Sequence, residues 1–168
     1  MERESRTIMI GLFFSICLSF AVVASGFCQE YEALKGLKAV KAVFDVRISN
    51  PASAALQLKL IHDTCKDKNI MAVTKNPSAV VIFIGPSVKL VSKKREGFSS
   101  EEQKQLDEIA RTVAEMSKDG IKIEICLFAA KVFGVDPASV LPGIKHVPNG
   151  WVSLIGYEAH GYSLVPAY

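Results

Sequence analysis

Cysteine, histidine and tryptophan are scarce in this chain of 168 residues, which has four Cys, three His and one Trp. No group of soft or imidazole ligands is spaced for a metal ion. His62 and Cys65 stand one helical turn apart, but no further ligand pair accompanies them, and three or four ligands are normally needed. The chain has no glycine-rich run of the kind that cradles phosphate, no histidine or carboxylate placed as a dedicated base, no internal repeat and no low-complexity tract. These absences point away from metal sites, nucleotide cofactors and repeat architectures, and no bound metal or cofactor is expected. Net charge is small, +3 at pH 7, so composition makes no case for nucleic acid as a partner.

One long uncharged run is present. After Arg3 and Arg6 no charged residue occurs from Thr7 to Gln29, and an apolar body from Ile8 to Val23 ends in the small residues Ala24-Ser25-Gly26. A basic start, an apolar body and a small-residue end are the three parts of a secretory signal peptide. Residues 1–26 are read as that signal, residues 27–39 as a leader, and residues 40–168 as a single domain that is periplasmic or secreted. The uncharged run is also long enough to span a bilayer, so an uncleaved anchor is the runner-up and the one expected route to a membrane. Cys17 leaves with the signal and Cys28 sits at its edge, which leaves Cys65 and Cys126 in the body.

The body alternates strand and helix signals. Val40 to Ile48 alternates, with Lys41, Asp45 and Arg47 opposite an apolar face, and predicts a strand with one wet side. Asn50-Pro51 starts a helix to about Asp67 that buries Ala54, Leu58, Ile61 and Cys65, with His62 at its negative end. Ala79 to Ile84 is apolar on both faces, as a central strand is, and Gly85-Pro86-Ser87 ends it with a turn. Lys89 to Gly97 reads as a basic, solvated connection. A capping box at Ser99/Glu102 or Ser100/Gln103 opens a helix striped with Leu106, Ile109, Ala110, Val113 and Met116, and Gly120 ends it. A strand from Ile121 to Cys126 follows, then a small-residue helical piece and a short helix from Asp136-Pro137 to about Leu141. A strand at Ile144 to Val147, a helix after Asn149-Gly150 bearing Trp151, Leu154 and Ile155, and a final strand from Tyr162 to Val165, which Pro166 either places at an edge or ends, complete the order. That alternation predicts an α/β sandwich with a mainly parallel, five-stranded sheet.

Cys126 is the candidate active residue. It closes a strand and opens a helix, where free N–H groups and the positive end of the dipole favour thiolate over thiol, the nucleophilic form. Strand phase sets it with Lys122 and Glu124 on the more polar face, which predicts partial exposure. A disulfide to Cys65 is excluded by geometry, because a residue about 13 positions down the first helix lies roughly 20 Å below the strand ends at about 1.5 Å per residue. Gly85, Ser87 and Asn149 sit on turns at the same end of a parallel sheet, as candidate ligand-binding residues. Trp151 reads as a core or subunit-contact residue.

The order of these motifs (FIGPSV, the helix EEQKQLDEIARTVAEM, the cysteine of IKIEIC, AAKVFGV, the NGW turn and GYSLVPAY) resembles the DsrE/DsrF-like family of small sulfur-relay proteins. The resemblance implies a three-layer α/β/α sandwich, assembly into trimers or hexamers, and sulfur carried as a persulfide on Cys126, exchanged with donor and acceptor proteins or small thiols. The relay members it resembles work in the cytoplasm, whereas this chain carries an export signal. Two other readings stay open: a non-catalytic oligomeric binding module that keeps the fold, and an envelope thiol-redox or metal-trafficking protein using Cys126 as a soft ligand.

Overall fold

A computed structural model describes residues 31–168, and the expected signal and cleavage site lie outside the described residues. After a short 3-10 turn at Glu32–Leu34, the chain lays down five strands: β1 (Lys41–Val46), β2 (Ser78–Phe83), β3 (Lys122–Cys126), β4 (Lys145–Val147) and β5 (Ser163–Ala167). Five helices connect them: α1 (Pro51–Cys65), α2 (Lys68–Val73), α3 (Ser100–Lys118), α4 (Leu127–Val132) and α5 (Gly150–Ala159). The strand order is β4-β3-β2-β1-β5 and every pairing is parallel, so the α/β sheet expected from the sequence is the one that forms.

The chain steps one way across the sheet from β1 to β4 and then returns over its whole width to β5. With right-handed crossovers, that reversal puts α5 on the face opposite α1 and α3, which makes the three layers. The α1/α3 layer is built from apolar stripes. Ala54, Leu58 and Ile61 on α1 and Leu106, Ile109, Val113 and Met116 on α3 are all buried. The Ser99/Glu102 alternative for the α3 capping box is the one that forms, each side chain bonding the other residue's backbone N–H, at 3.3 and 2.8 Å.

Several local expectations are corrected. The first helix stops at Cys65, because Asp67 caps a separate helix, α2, through a 2.7 Å bond from Asn69 N–H. His62 is buried on the last turn of α1, with Nε2 at 2.8 Å from Asp119 at the end of α3, so it ties two helices together rather than only facing a dipole. The basic Lys89 to Gly97 stretch is anchored, not a loose loop. Its first residues belong to a 3-10 helix, Gly85–Val91, Leu90 and Val91 are buried, and Ser92 pairs with Val140. The expected helix from Asp136 to Leu141 is only a 3-10 turn, Pro137–Ser139, capped by Asp136. Of the two readings of Pro166 the edge position is the one that forms: it lies within β5, an edge strand where its missing N–H costs no ladder bond.

Strands β1 and β3 depart furthest from their sequence pattern. Both alternate with charged residues, yet the interior of each is buried on both faces. Asp45 and Glu124 are 2 % and 3 % exposed. The register puts them in one cross-sheet row, Pro166–Asp45–Ile82–Glu124–Lys145, on the face that α5 covers.

Candidate functional site

Cys126 is the last residue of β3 and the N-cap of α4. The short Leu127–Val132 helix begins at once, with Leu127, Phe128, Ala129 and Ala130 in its first turn, and the Cys126 Sγ accepts the Ala129 N–H at 3.4 Å. Pro148 at the end of β4 accepts the Phe128 N–H at 3.1 Å, which fixes that turn against the neighbouring strand end. From below, α5 begins so close that a Cβ on Gly150 would stand 2.8 Å from Ile84 and 3.1 Å from the Cys126 Cβ. Cys126 is therefore 3 % exposed, not partly open as its strand phase suggested, and access to its sulfur runs through a cavity. It is a free thiol, as is Cys65.

That cavity, about 310 Å³, opens at the carboxyl ends of the strands, where parallel sheets gather their ligands. Cys126, Gly85 and Asn149 meet there, with Arg47, Phe128 and Trp151 among the other walls. Gly85 has φ +66°, which a side chain would strain, so this turn requires glycine. The Asn149 carboxamide oxygen accepts the Trp151 N–H at 3.0 Å and thereby caps α5. Ser87 is not part of the wall. It is fully buried, and its hydroxyl donates to the carbonyls of Val46 and Ile84 at 2.7 and 3.0 Å, tying β1 to the turn after β2. Trp151 is 59 % exposed at the cavity edge, which corrects the expectation of a core position in the single chain.

Arg47 also lines the site and the buried Asp45 lies behind it, although strand alternation sets both on a wet face. The Arg47 Nε lies 3.0 and 2.9 Å from the two oxygens of Asp45, and Nη2 lies 2.8 Å from Oδ2. These bonds push the Arg47 pKa further up, against the opposing effect of burial. The guanidinium also sits 5.9 Å from the ring centres of both Trp151 and Tyr168. The signal was readable in principle, since a charged residue one pleat from a strand end in a parallel sheet reaches the ligand edge.

One pleat below Cys126, on the same face, Glu124 accepts a 2.9 Å bond from the Tyr157 hydroxyl of α5, while its Oε2 has no partner among the described residues. Desolvation first, then the bond to Glu124, pushes the Tyr157 pKa up to about 12. Tyr157 in turn packs edge-on against Tyr162, with ring centres 5.0 Å apart.

A second, larger cavity of about 570 Å³ reaches the amino ends of β1, β2 and β5 and includes Leu34, Phe44, Leu60 and Cys65. Size does not make it the functional site. Burial pushes the Cys65 thiol on its wall up to about 11, which keeps it protonated and unreactive near neutrality. Cys65 is half-buried at the edge of this cavity, not the interior residue expected. Among the described residues no group of three or more His, Cys, Asp or Glu is placed to hold a metal ion, and no helix is long and apolar enough to cross a membrane.

The family model described as the DsrE/DsrF-like family matches residues 41–166. A protein of Aquifex aeolicus (strain VF5), described only as uncharacterized, is 25% identical over 169 residues, covering 98% of this chain and 67% of that protein. Among solved structures, the protein of unknown function MTH1491 from Methanobacterium thermoautotrophicum aligns with a TM-score of 0.58 at 15% identity, over 76% of this chain and 98% of that one. The ychN protein from E. coli aligns with a TM-score of 0.52 at 12% identity, over the same two shares. At these identities the two structures speak to the fold.

Proposed function

The chain belongs to the DsrE/DsrF-like family, and on that premise we propose that it is a sulfur carrier holding a transferable sulfur atom as a persulfide on Cys126. The observation that carries this reading is the position of the Cys126 sulfur: a free thiol at a strand end, bonded by a helical N–H, on the wall of a cavity. In the loading step the thiolate attacks the outer sulfur of a donor, and the donor's leaving group departs with the electron pair of the broken bond. An acceptor thiolate then attacks the terminal sulfur and returns Cys126 to its starting state. Gly85 and Asn149 shape the wall beside the sulfur, and Ser87 holds the turn that carries Gly85.

The proposal includes export and self-association. Residues 1–26 would direct the chain out of the cytoplasm and be removed, which N-terminal sequencing of the exported protein checks. Phe128, Val132, Trp151, Val152 and Ile155 stand exposed on α4 and α5, three of them lining the Cys126 cavity, and such a patch suits burial between copies of the chain. Light scattering should then give a multiple of the monomer mass, and a monomer at micromolar concentration would end this part of the proposal.

A binding module without sulfur chemistry is the second reading, favoured by the 3 % exposure of Cys126. Intact mass after incubation with a sulfane-sulfur donor separates the two. A carrier gains the mass of a sulfur atom, loses it to reductant, and gains nothing once Cys126→Ser is introduced. A wild-type chain that never loads, or a Cys126→Ser chain that still does, overturns the carrier reading.

A further inference from the structure

We propose that Arg47 is the anion-holding residue of the Cys126 cavity, and that the donor this cavity accepts is a small sulfane-sulfur anion of the thiosulfate type, its outer sulfur toward Cys126 and its oxygens toward the guanidinium. The inference rests on the persulfide reading of Cys126 and names the donor for that site.

Among the described residues Arg47 is the one charged residue on the wall; the other side chains there are apolar apart from the Cys126 thiol, the Asn149 amide and the Trp151 indole. The Arg47 side chain is 35 % exposed and its charge is shared with Asp45, so holding an entering anion falls to the edge of the guanidinium that faces away from that carboxylate. Its guanidinium is also held still. One edge is locked on a buried carboxylate, and the rings of Trp151 and Tyr168 lie 5.9 Å away. Nη1, on the other edge, has no partner among the described residues. A planar fork fixed on one side and open on the other is pre-organised for a second oxyanion, because little rotamer freedom is left to lose on binding.

Position and size fit the same ligand class. Arg47 follows the end of β1 and Cys126 ends β3, two strands away, so their backbones stand about 10 Å apart at about 4.8 Å per strand. Both line the one cavity, with Ile84 between them in the register, so a small anion that meets both would lie over that side chain. A cavity of about 310 Å³ encloses a donor of a few heavy atoms but not a folded segment of another protein.

The chemistry balances without an outside oxidant. The Cys126 thiol gives its proton to water at the cavity mouth, and the thiolate attacks the outer sulfur of thiosulfate. The new bond joins Cys126 to that sulfur, the sulfur–sulfur bond of the donor breaks, and its electron pair leaves on sulfite. Negative charge grows on the departing oxyanion, where the open edge of Arg47 meets it.

The test uses paired alkylating agents of nearly equal size, anionic iodoacetate and neutral iodoacetamide, with peptide mapping of each cysteine. In the wild-type chain the iodoacetate-to-iodoacetamide rate ratio at Cys126 should exceed that at Cys65 by at least about tenfold, the worth of one charge-assisted hydrogen bond. That ratio should fall by about as much in the double variant Asp45→Asn with Arg47→Gln, which removes the cation without stranding a buried carboxylate, and Arg47→Lys, which keeps the charge but not the planar fork, should keep only part of it. Equal ratios at the two cysteines, or a ratio untouched by the double variant, overturn the inference. The wild-type comparison stands even if the double variant fails to fold. If the anionic reagent is preferred but thiosulfate leaves no sulfur on Cys126, the anion-holding role of Arg47 stands and the persulfide reading is what fails.

Discussion

Gly150 is the point at which packing and the site press on one another most closely, and replacing it by alanine is the sharpest test of the geometry. A Cβ there would stand 2.8 Å from both Cγ1 and Cδ1 of Ile84 and 3.1 Å from the Cβ of Cys126. Ile84 is 5 % exposed, and Cγ1 lies near the root of its side chain, so it has little room to yield. Overpacking of this kind costs about 1–3 kcal/mol. Alanine returns up to about 1 kcal/mol through helix propensity and a less free unfolded chain. The net expectation is a loss of about 1–2 kcal/mol. Gly156 lies on the same helix with nothing within 4 Å of its Cβ position, so Gly156→Ala carries the gain without the clash. Urea unfolding of the pair should show Gly150→Ala lowered by about half to one molar in midpoint and Gly156→Ala unchanged or raised. Cys126 alkylation should change in the first variant only. Equal midpoints for the two variants, with unaltered Cys126 reactivity, would refute the reasoning.

Tyr157→Phe should destabilise the fold by about 1–3 kcal/mol in denaturant melts, because it leaves a buried Glu124 carboxylate with neither oxygen bonded, whereas Glu124→Gln, which keeps an acceptor for the Tyr157 hydroxyl, should cost less. Cys65 predicts an alkaline loss of stability. Its folded pKa of about 11 exceeds its ordinary value of 9.0, so the native state keeps a proton that the unfolded chain releases. Stability should fall as pH rises from 9.0 toward about 11, and Cys65→Ala should remove that component of the slope. Asp119 predicts the opposite window. Its bonds to Lys66 and His62 hold its carboxyl below the usual 3.8, so its contribution is present above 3.8 and lost as pH falls below it. The stability difference between wild type and Asp119→Asn should therefore vanish in acid melts.

The parts of the fold legible in the sequence were those set by local chemistry. Asn50-Pro51, Ser99 with Glu102, Asn149-Gly150 and the doubly apolar run of Ala79 to Ile84 each fix a boundary through neighbours a few residues away. The seat of Cys126 at a strand end was legible for the same reason. Its burial was not, because the atoms that cover it come from Gly150 of α5 and the end of β4. Asp45 and Glu124 were misread as solvent-facing because alternation reports only that a residue is charged. Whether the charge meets water depends on a partner, and for Glu124 that partner is Tyr157, 33 residues later. Arg47 lies two residues from Asp45, yet its place beside Cys126 follows only from the strand order β3-β2-β1.

The two faces of the sheet divide stability from chemistry. On the α1/α3 face buried leucine, isoleucine, valine and methionine side chains fill the interior, with His62 the buried titratable group at its margin. The α5 face carries the groups that oppose folding: a carboxylate locked to Arg47, a carboxylate with one bare oxygen, and the thiol. Buried polar groups of this kind cost about 1–3 kcal/mol each when unpaired, so they persist where the opposite layer supplies apolar burial to offset them. They also set the orientation of α5. Its first residue is pinned between Ile84 and Cys126, and within its last turn Tyr157 is tied to Glu124. A helix fixed at two points on the sheet holds Trp151 at the cavity edge beside Arg47. Loosening the Tyr157–Glu124 tie should therefore be felt at Cys126, although neither residue lines the cavity.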